Sequence, residues 1–270
     1  TGDAYHFDWA NGTLDAVKAY RSENLIGGRG AVARGTAETD AAVDPTRIAS
    51  IGVGATCSLV AVGPDGQPVS VAETGEAERD IIMWMDHRAG EQTAAINATQ
   101  DAALAYVGGA VGIEMELPKV LWLKQNFPGR YAAAWRFFDL ADYLVWRLSD
   151  ADVASVCTLT CKWNYLAHEN RFSETLLAAV GLSDIIGKVP PRVLPLGSAA
   201  GKLSPRAAAE LGLPPGMVVA TGIIDAHAGG LALVGTEPLG SLAIIGGTSN
   251  CHMVVNPQPI MVPGVWGQSY

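Results

Sequence analysis

The apolar run MVVATGII (217–224) passes without a spacer into DAHAGGLALV (225–234). The first segment has too few polar positions to keep one face in water, so it reads as a strand buried on both sides. The second opens on an Asp among small residues and reads as a helix. A strand covered on both faces needs helices packed over its sheet, which restricts the chain to a layered α/β arrangement.

The rest of the chain repeats this alternation with interruptions. IASIGV (48–53), CSLVAV (57–62) and IIMW (81–84) are short apolar strands. GPDGQ (63–67) has turn chemistry between CSLVAV and PVSVA (68–72) and predicts a hairpin. DHRAGEQTAAINA (86–98) is a helix, Pro118 opens another, and DLADYLVWRLS (139–149) is strongly amphipathic. A loop-rich middle comes next, with one helix over 174–180 and an irregular Pro/Gly stretch over 189–201. SPRAAAELG (204–212) carries its own punctuation: Ser204 as cap, Pro205 at the first position, Gly212 as stop. SLAIIGG (241–247) and CHMVV (251–255) form a last strand pair. Helices alternate with strands and hairpins, so the sheet is mixed rather than purely parallel. Residues 1–45 give only a rough helical stripe at Leu14, Val17, Tyr20 and Leu25.

Hydrophobic residues are 49% of the 270, enough for a sizeable core and too many for a disordered chain. The formal charge of -9 repels a phosphate backbone and argues against nucleic acid as partner. A nucleotide can still be held locally by backbone N–H groups and a metal ion. No apolar run reaches the roughly 18 residues of a membrane helix. Cys57, Cys157, Cys161 and Cys251 are too few and scattered for a disulfide scaffold, which suggests a reducing cytoplasm.

Four segments can carry chemistry. Asp225 begins a helix at the carboxyl end of a strand, where open α/β sheets bind ligands; it is either a general base or a helix-capping residue. Gly246, Gly247, Thr248 and Ser249 link two strands; they make a phosphate-binding nest or an ordinary turn. In WMDHRA (84–89), Asp86 and Arg88 can hold sugar hydroxyls with Trp84 stacked beside them, or they are a cap and a solvated cation. In CTLTCKWNY (157–165), Lys162 can hold a substrate oxygen or lay its stem on Trp163. Cys157 and Cys161 are spaced C-x3-C with no second Cys/His pair at ligand spacing, so no metal site is expected.

Together these segments resemble the FGGY family of carbohydrate kinases, nearest its ribulokinase-like branch. The matching pieces occur in the family's order: IGVGATCSLV (51–60), IIMWMDHRA (81–89), EMELPKVLWLK (114–124), FFDLADYLVWRL (137–148), CTLTCKWNYL (157–166), GIIDAHAGG (222–230) and GGTSNCHM (246–253). The resemblance implies an RNase H-like fold of the actin/Hsp70 ATPase type, with ATP-dependent, Mg2+-assisted phosphorylation of a pentulose at a terminal hydroxyl. It makes Asp225 the catalytic base, and Gly247, Thr248 and Ser249 the turn that faces the ATP phosphates. It assigns sugar contacts to Thr56, Cys57, Ser58, Asp86, Arg88, Glu114 and Lys162. Sugar and ATP are then the partners, and a homodimer is left open.

The sequence also departs from the family pattern. The acidic residue of a DATCS-like word is Gly54 here, and nothing in residues 1–45 matches the family's opening phosphate turn. Residues 1–46 are therefore expected to be an atypical leader and 47–270 the N-terminal kinase domain, with no C-terminal domain in the chain. On that reading the chain is a truncated kinase of doubtful activity, or a sugar-binding remnant that transfers nothing.

Overall fold

The computed structural model describes Thr46 and residues 48–76, 79–246 and 250–267. The expected helical stripe of the leader lies outside the described residues. The described chain opens with β1 (Ser50–Ile51), β2 (Gly54–Ala55) and β3 (Leu59–Val62). β4 (Ile81–Ile82) precedes α1 (Gly90–Ala98), α2 (Glu116–Asn126) and α3 (Pro128–Ala133). β5 (Arg136–Asp139) runs directly into α4 (Leu140–Ser149), and β6 (Val153–Ser155) into α5 (Val156–Lys162). Then come α6 (Glu174–Ala179), β7 (Arg192–Leu194), β8 (Ala199–Lys202) and α7 (Pro205–Leu211). β9 (Val218–Ala220), β10 (Ile223–Ile224), α8 (Asp225–Val234), β11 (Leu242–Gly246) and β12 (Asn250–Val254) complete the order.

Pairing is mixed, as the alternation predicts. β3 lies between β4 and β5, antiparallel to both. β1 runs parallel to β9 and β2 parallel to β10, while β8 is antiparallel to β9. Ser50 pairs with Val218 but Gly54 with Ile223, so four steps on one segment span five on the other. The extra residue falls at Thr221 and Gly222, where a Cβ on Gly222 would come within 3.0 Å of the Ala141 backbone. Glycine there lets the strand pass against the start of α4.

Packing agrees with the sequence pattern. α4 is capped by Asp139, whose Oδ1 accepts from the Ala141 N–H at 3.1 Å, and it buries Leu140, Ala141, Tyr143, Val145 and Leu148. α7 has the predicted punctuation: Ser204 accepts from the Ala207 N–H, and Gly212 is left-handed at φ 67°. The largest core joins Leu59, Ile82 and Phe137 of the central strands to Leu117, Val120, Leu121 and Leu123 of α2. Among the described residues no helix is long and apolar enough to cross a membrane.

Several expectations are corrected. The expected hairpin at Gly63–Gln67 is present but short: the Gly63 N–H donates to the Gln67 carbonyl at 2.8 Å and the Val69 N–H to the Ala61 carbonyl at 3.0 Å about a single antiparallel bridge between Val62 and Pro68, and β3 takes its strand partners from β4 and β5. The 217–224 run is two strands broken at the bulge rather than one. α2 begins two residues before Pro118, which still sits in the first turn, where a missing N–H costs nothing. The loop-rich middle contains α5, capped by Ser155 onto the Cys157 N–H at 3.2 Å. The Pro/Gly stretch supplies β7 and part of β8.

Candidate active site

β2 and β10 are parallel neighbours, with Ala55 opposite Ile224. The residues after the two strands therefore leave the sheet side by side: Thr56, Cys57 and Ser58 from one, Asp225 from the other. Asp225 is exposed at the first position of α8, and its Oδ1 accepts the Ala226 N–H at 2.7 Å. The 56–58 turn is tight. The Ser58 N–H donates to the Thr56 carbonyl at 3.0 Å, and the two hydroxyls lie 3.4 Å apart. Ser58 Oγ accepts the Trp84 N–H at 3.1 Å, which fixes the WMDHRA segment against this turn. Cys57 packs with Ile224, Cys157 and Cys161, and burial pushes its thiol up to about 12 although Lys162 pulls the other way.

Lys162 ends α5 with its ammonium 5.3 Å from the centre of the Trp266 ring. Burial pushes its pKa down, but the Cys57 thiol beside it and the Glu116 carboxyl hold it above the ordinary lysine value. The ammonium is thus a fixed, half-desolvated donor beside the 56–58 turn.

Asp86 and Arg88 form a fork. Arg88 Nε lies 2.9 Å from both Asp86 oxygens and an η nitrogen 2.6 Å from Oδ2, while the guanidinium sits 4.7 Å over the Trp122 ring. Burial acts to raise Asp86, but Arg88 outweighs it and holds the carboxyl below the usual range. Glu114 pairs with His87 at 3.2 Å.

Beneath them lies a pair that the sequence reading does not single out, although it stands inside the EMELPKVLWLK segment. Lys119 and Glu116, one turn apart on α2, have no solvent exposure, and their charged atoms are 3.7 Å apart. Lys119 Nζ donates to the carbonyl oxygens of Trp84 at 3.2 Å and Glu114 at 3.3 Å, so one buried cation joins the segments that bear Asp86 and Glu114. Burial pushes Glu116 up to about 7, against Lys119 and Lys162. Both residues stand in the ELPK word. An E-x-x-K pair on a helix ordinarily reads as a solvated pair, which hides them.

The candidate residues 56–58, 86, 88, 114, 162 and 225 thus lie on segments that adjoin one another. Gly247, Thr248 and Ser249 lie outside the described residues. The described strand before them, β11, packs against α8: a Cβ on Gly229 would lie 3.4 Å from Ile245. A small depression lined by Tyr106, Thr160, Asn164 and His168 shares no residue with this neighbourhood. The C-x3-C spacing alone predicts no metal site, yet His227 of α8 meets Cys157 and Cys161.

Residues 32–232 match the model of the FGGY family of carbohydrate kinases, N-terminal domain. A human FGGY carbohydrate kinase domain-containing protein is 42% identical over 243 residues, covering 83% of this chain and 44% of the human protein. A D-ribulokinase of Saccharomyces cerevisiae is 35% identical over 269 residues, covering 86% of this chain and 38% of its own length. The chain therefore spans less than half the length of these relatives. The crystal structure of xylulose kinase from Rhodospirillum rubrum superposes with a TM-score of 0.63 at 23% identity, covering 81% of this chain and 45% of that one. That likeness gives the actin/Hsp70-type ATPase fold expected from the sequence. With the family model matching most of its length, the chain belongs to the FGGY family of carbohydrate kinases.

Proposed function

We propose that this chain is the sugar-binding part of an ATP-dependent kinase that phosphorylates a pentulose such as ribulose at a terminal hydroxyl, with residues 47–270 as its N-terminal domain. The observation that carries the reading is the exposed carboxylate of Asp225, on a strand end beside the 56–58 turn and the Lys162 neighbourhood. Phosphoryl transfer needs positioning and charge stabilisation more than covalent help from the protein. Asp225 orients the sugar hydroxyl and accepts its proton as the oxygen attacks. Lys162 donates to a sugar oxygen. The Asp86–Arg88 fork presents both acceptor and donor atoms to neighbouring hydroxyls, and Lys119 keeps that fork in register with Glu114. The relative named D-ribulokinase supports a pentulose over other sugars.

ATP with Mg2+ supplies the phosphoryl group. The donor set fits such an ion, because the Asp225 carboxylate is a hard oxygen ligand with one oxygen uncommitted to the Ala226 amide. None of the four cysteines is in a disulfide, in keeping with a cytoplasmic setting. The test is calorimetric binding of D-ribulose, L-ribulose or xylulose to this chain and ADP release from ATP with the same sugars by the complete kinase of which it is the sugar-binding part, each measured for the parent and its Asp225→Asn variant. The variant is expected to lose about 10²–10⁴-fold in turnover while still binding sugar by calorimetry. Unchanged turnover in Asp225→Asn would overturn the assignment of the base.

A further inference from the structure

Two buried thiols and an imidazole converge next to, but apart from, the groups of the proposed sugar site. Cys157 and Cys161 lie one helical turn apart on α5, 0% and 1% exposed. His227, half-buried, comes from the first turn of α8, some 66 residues further along. Its Nδ1 lies 3.1 Å from Cys157 Sγ and 3.6 Å from Cys161 Sγ, and the three groups place their ligand atoms within 4.8 Å of one another. Among the described residues no other group of His, Cys, Asp and Glu meets that condition.

These separations are close to those a tetrahedral metal imposes. Zinc–sulfur bonds of about 2.3 Å and zinc–nitrogen bonds of about 2.0 Å set sulfur–nitrogen distances of about 3.5 Å and sulfur–sulfur distances of about 3.8 Å. The side chains need only small rotations to accept an ion. We propose that Cys157, Cys161 and His227 bind one thiophilic divalent cation, with zinc as the best fit and a fourth position left for water. Two sulfurs and one imidazole nitrogen select zinc over magnesium or calcium, which require oxygen ligands. Cys57 packs in the same apolar group but hydrogen-bonds Lys162, so it is not the fourth ligand. The site's two sulfurs and one nitrogen differ in donor type from the oxygens that a magnesium ion takes. A bound ion would tie α5 to the first turn of α8, two residues after Asp225.

Zinc alone is the probe. The reduced full chain is titrated against a chromogenic chelator, and proton release is monitored, since thiols lose protons on ligation. One zinc per chain is expected. Cys157→Ser, Cys161→Ser and His227→Gln should each weaken it by about 100-fold or more, while Cys57→Ser and the exposed pair variant Cys251→Ser/His252→Gln bind as the parent does. Cobalt in the unmodified chain should show thiolate-to-metal charge-transfer absorption, a readout that needs no variant to fold. The proposal is overturned if the parent holds no zinc against the chelator, if cobalt gives no such band, or if binding disappears with the Cys251/His252 pair instead.

Discussion

The ammonium of Lys119 donates to the Trp84 carbonyl oxygen at 3.2 Å from a position with no solvent exposure. A buried cation in this place costs desolvation, which is offset only if its partners stay. Lys119→Met leaves the Glu116 carboxyl alone in the core and frees the segments of residues 84 and 114. It should lower stability by about 3–5 kcal/mol in urea unfolding. The double variant Glu116→Gln/Lys119→Met should recover much of that loss, because no unpaired charge remains. A single variant no less stable than the parent would show that the pair carries no structural weight.

Arg88 holds Asp86 through a planar fork and stacks on Trp122, two things a lysine does not reproduce. In Arg88→Lys the Asp86 carboxyl should titrate nearer its ordinary value, measured by carbon-detected NMR at low pH. Stability should change little, since the pair is partly exposed. If Asp86 titrates unchanged in the variant, its lowered value has another origin.

The elements legible in the sequence are those with local punctuation. α4 is readable from Asp139 and its apolar stripe, and α7 from Ser204, Pro205 and Gly212. α8 begins and ends where the strand-to-helix junction places it. α5 is not readable, because Val156, Thr158 and Thr160 favour strands locally and tertiary burial overrides them. β7 and the bulge between β9 and β10 depend on partners distant in sequence. The site shows the same division. Asp225, Asp86, Arg88 and Lys162 stand out by type at strand or helix ends. Lys119 acts through backbone carbonyls, and His227 reaches Cys157 across 70 residues, which no local spacing rule detects.

Gly222 and Gly230 differ in what a methyl group would meet. At Gly222 it would come within 3.0 Å of the backbone and Cβ of Ala141, which cannot swing aside. At Gly230 it would come within 2.8 Å of the end of Met253, a flexible thioether that can. Gly222→Ala should therefore cost about 1–3 kcal/mol and Gly230→Ala clearly less, with helix propensity partly compensating at 230. Thermal melting of the two variants side by side checks the order, and equal losses would contradict it.

The buried carboxyls set how stability varies with pH. Burial pushes Asp80 and Glu116 to about 7 and Asp142 to about 8, and raises Asp139 well above its usual value, with Asp142 adding to the effect. In the unfolded chain these groups ionise near 3.8 for Asp and 4.5 for Glu. Their folded values are raised, so their contribution is full below about pH 4 and is lost as the pH climbs through 7 to 8. Cys157 opposes the trend. The Cys161 thiol and His227 lower its pKa to about 5, so it adds stability as the pH rises from 5 to 9. The lowered carboxyls Asp86, Asp101 and Asp184 titrate below this range. Four groups outweigh one, and the urea midpoint should fall between pH 5 and pH 8. Asp142→Asn should flatten the fall and Cys157→Ser should steepen it; a midpoint that rises across this interval in the parent chain would show that the four carboxyls are ionised in the native state.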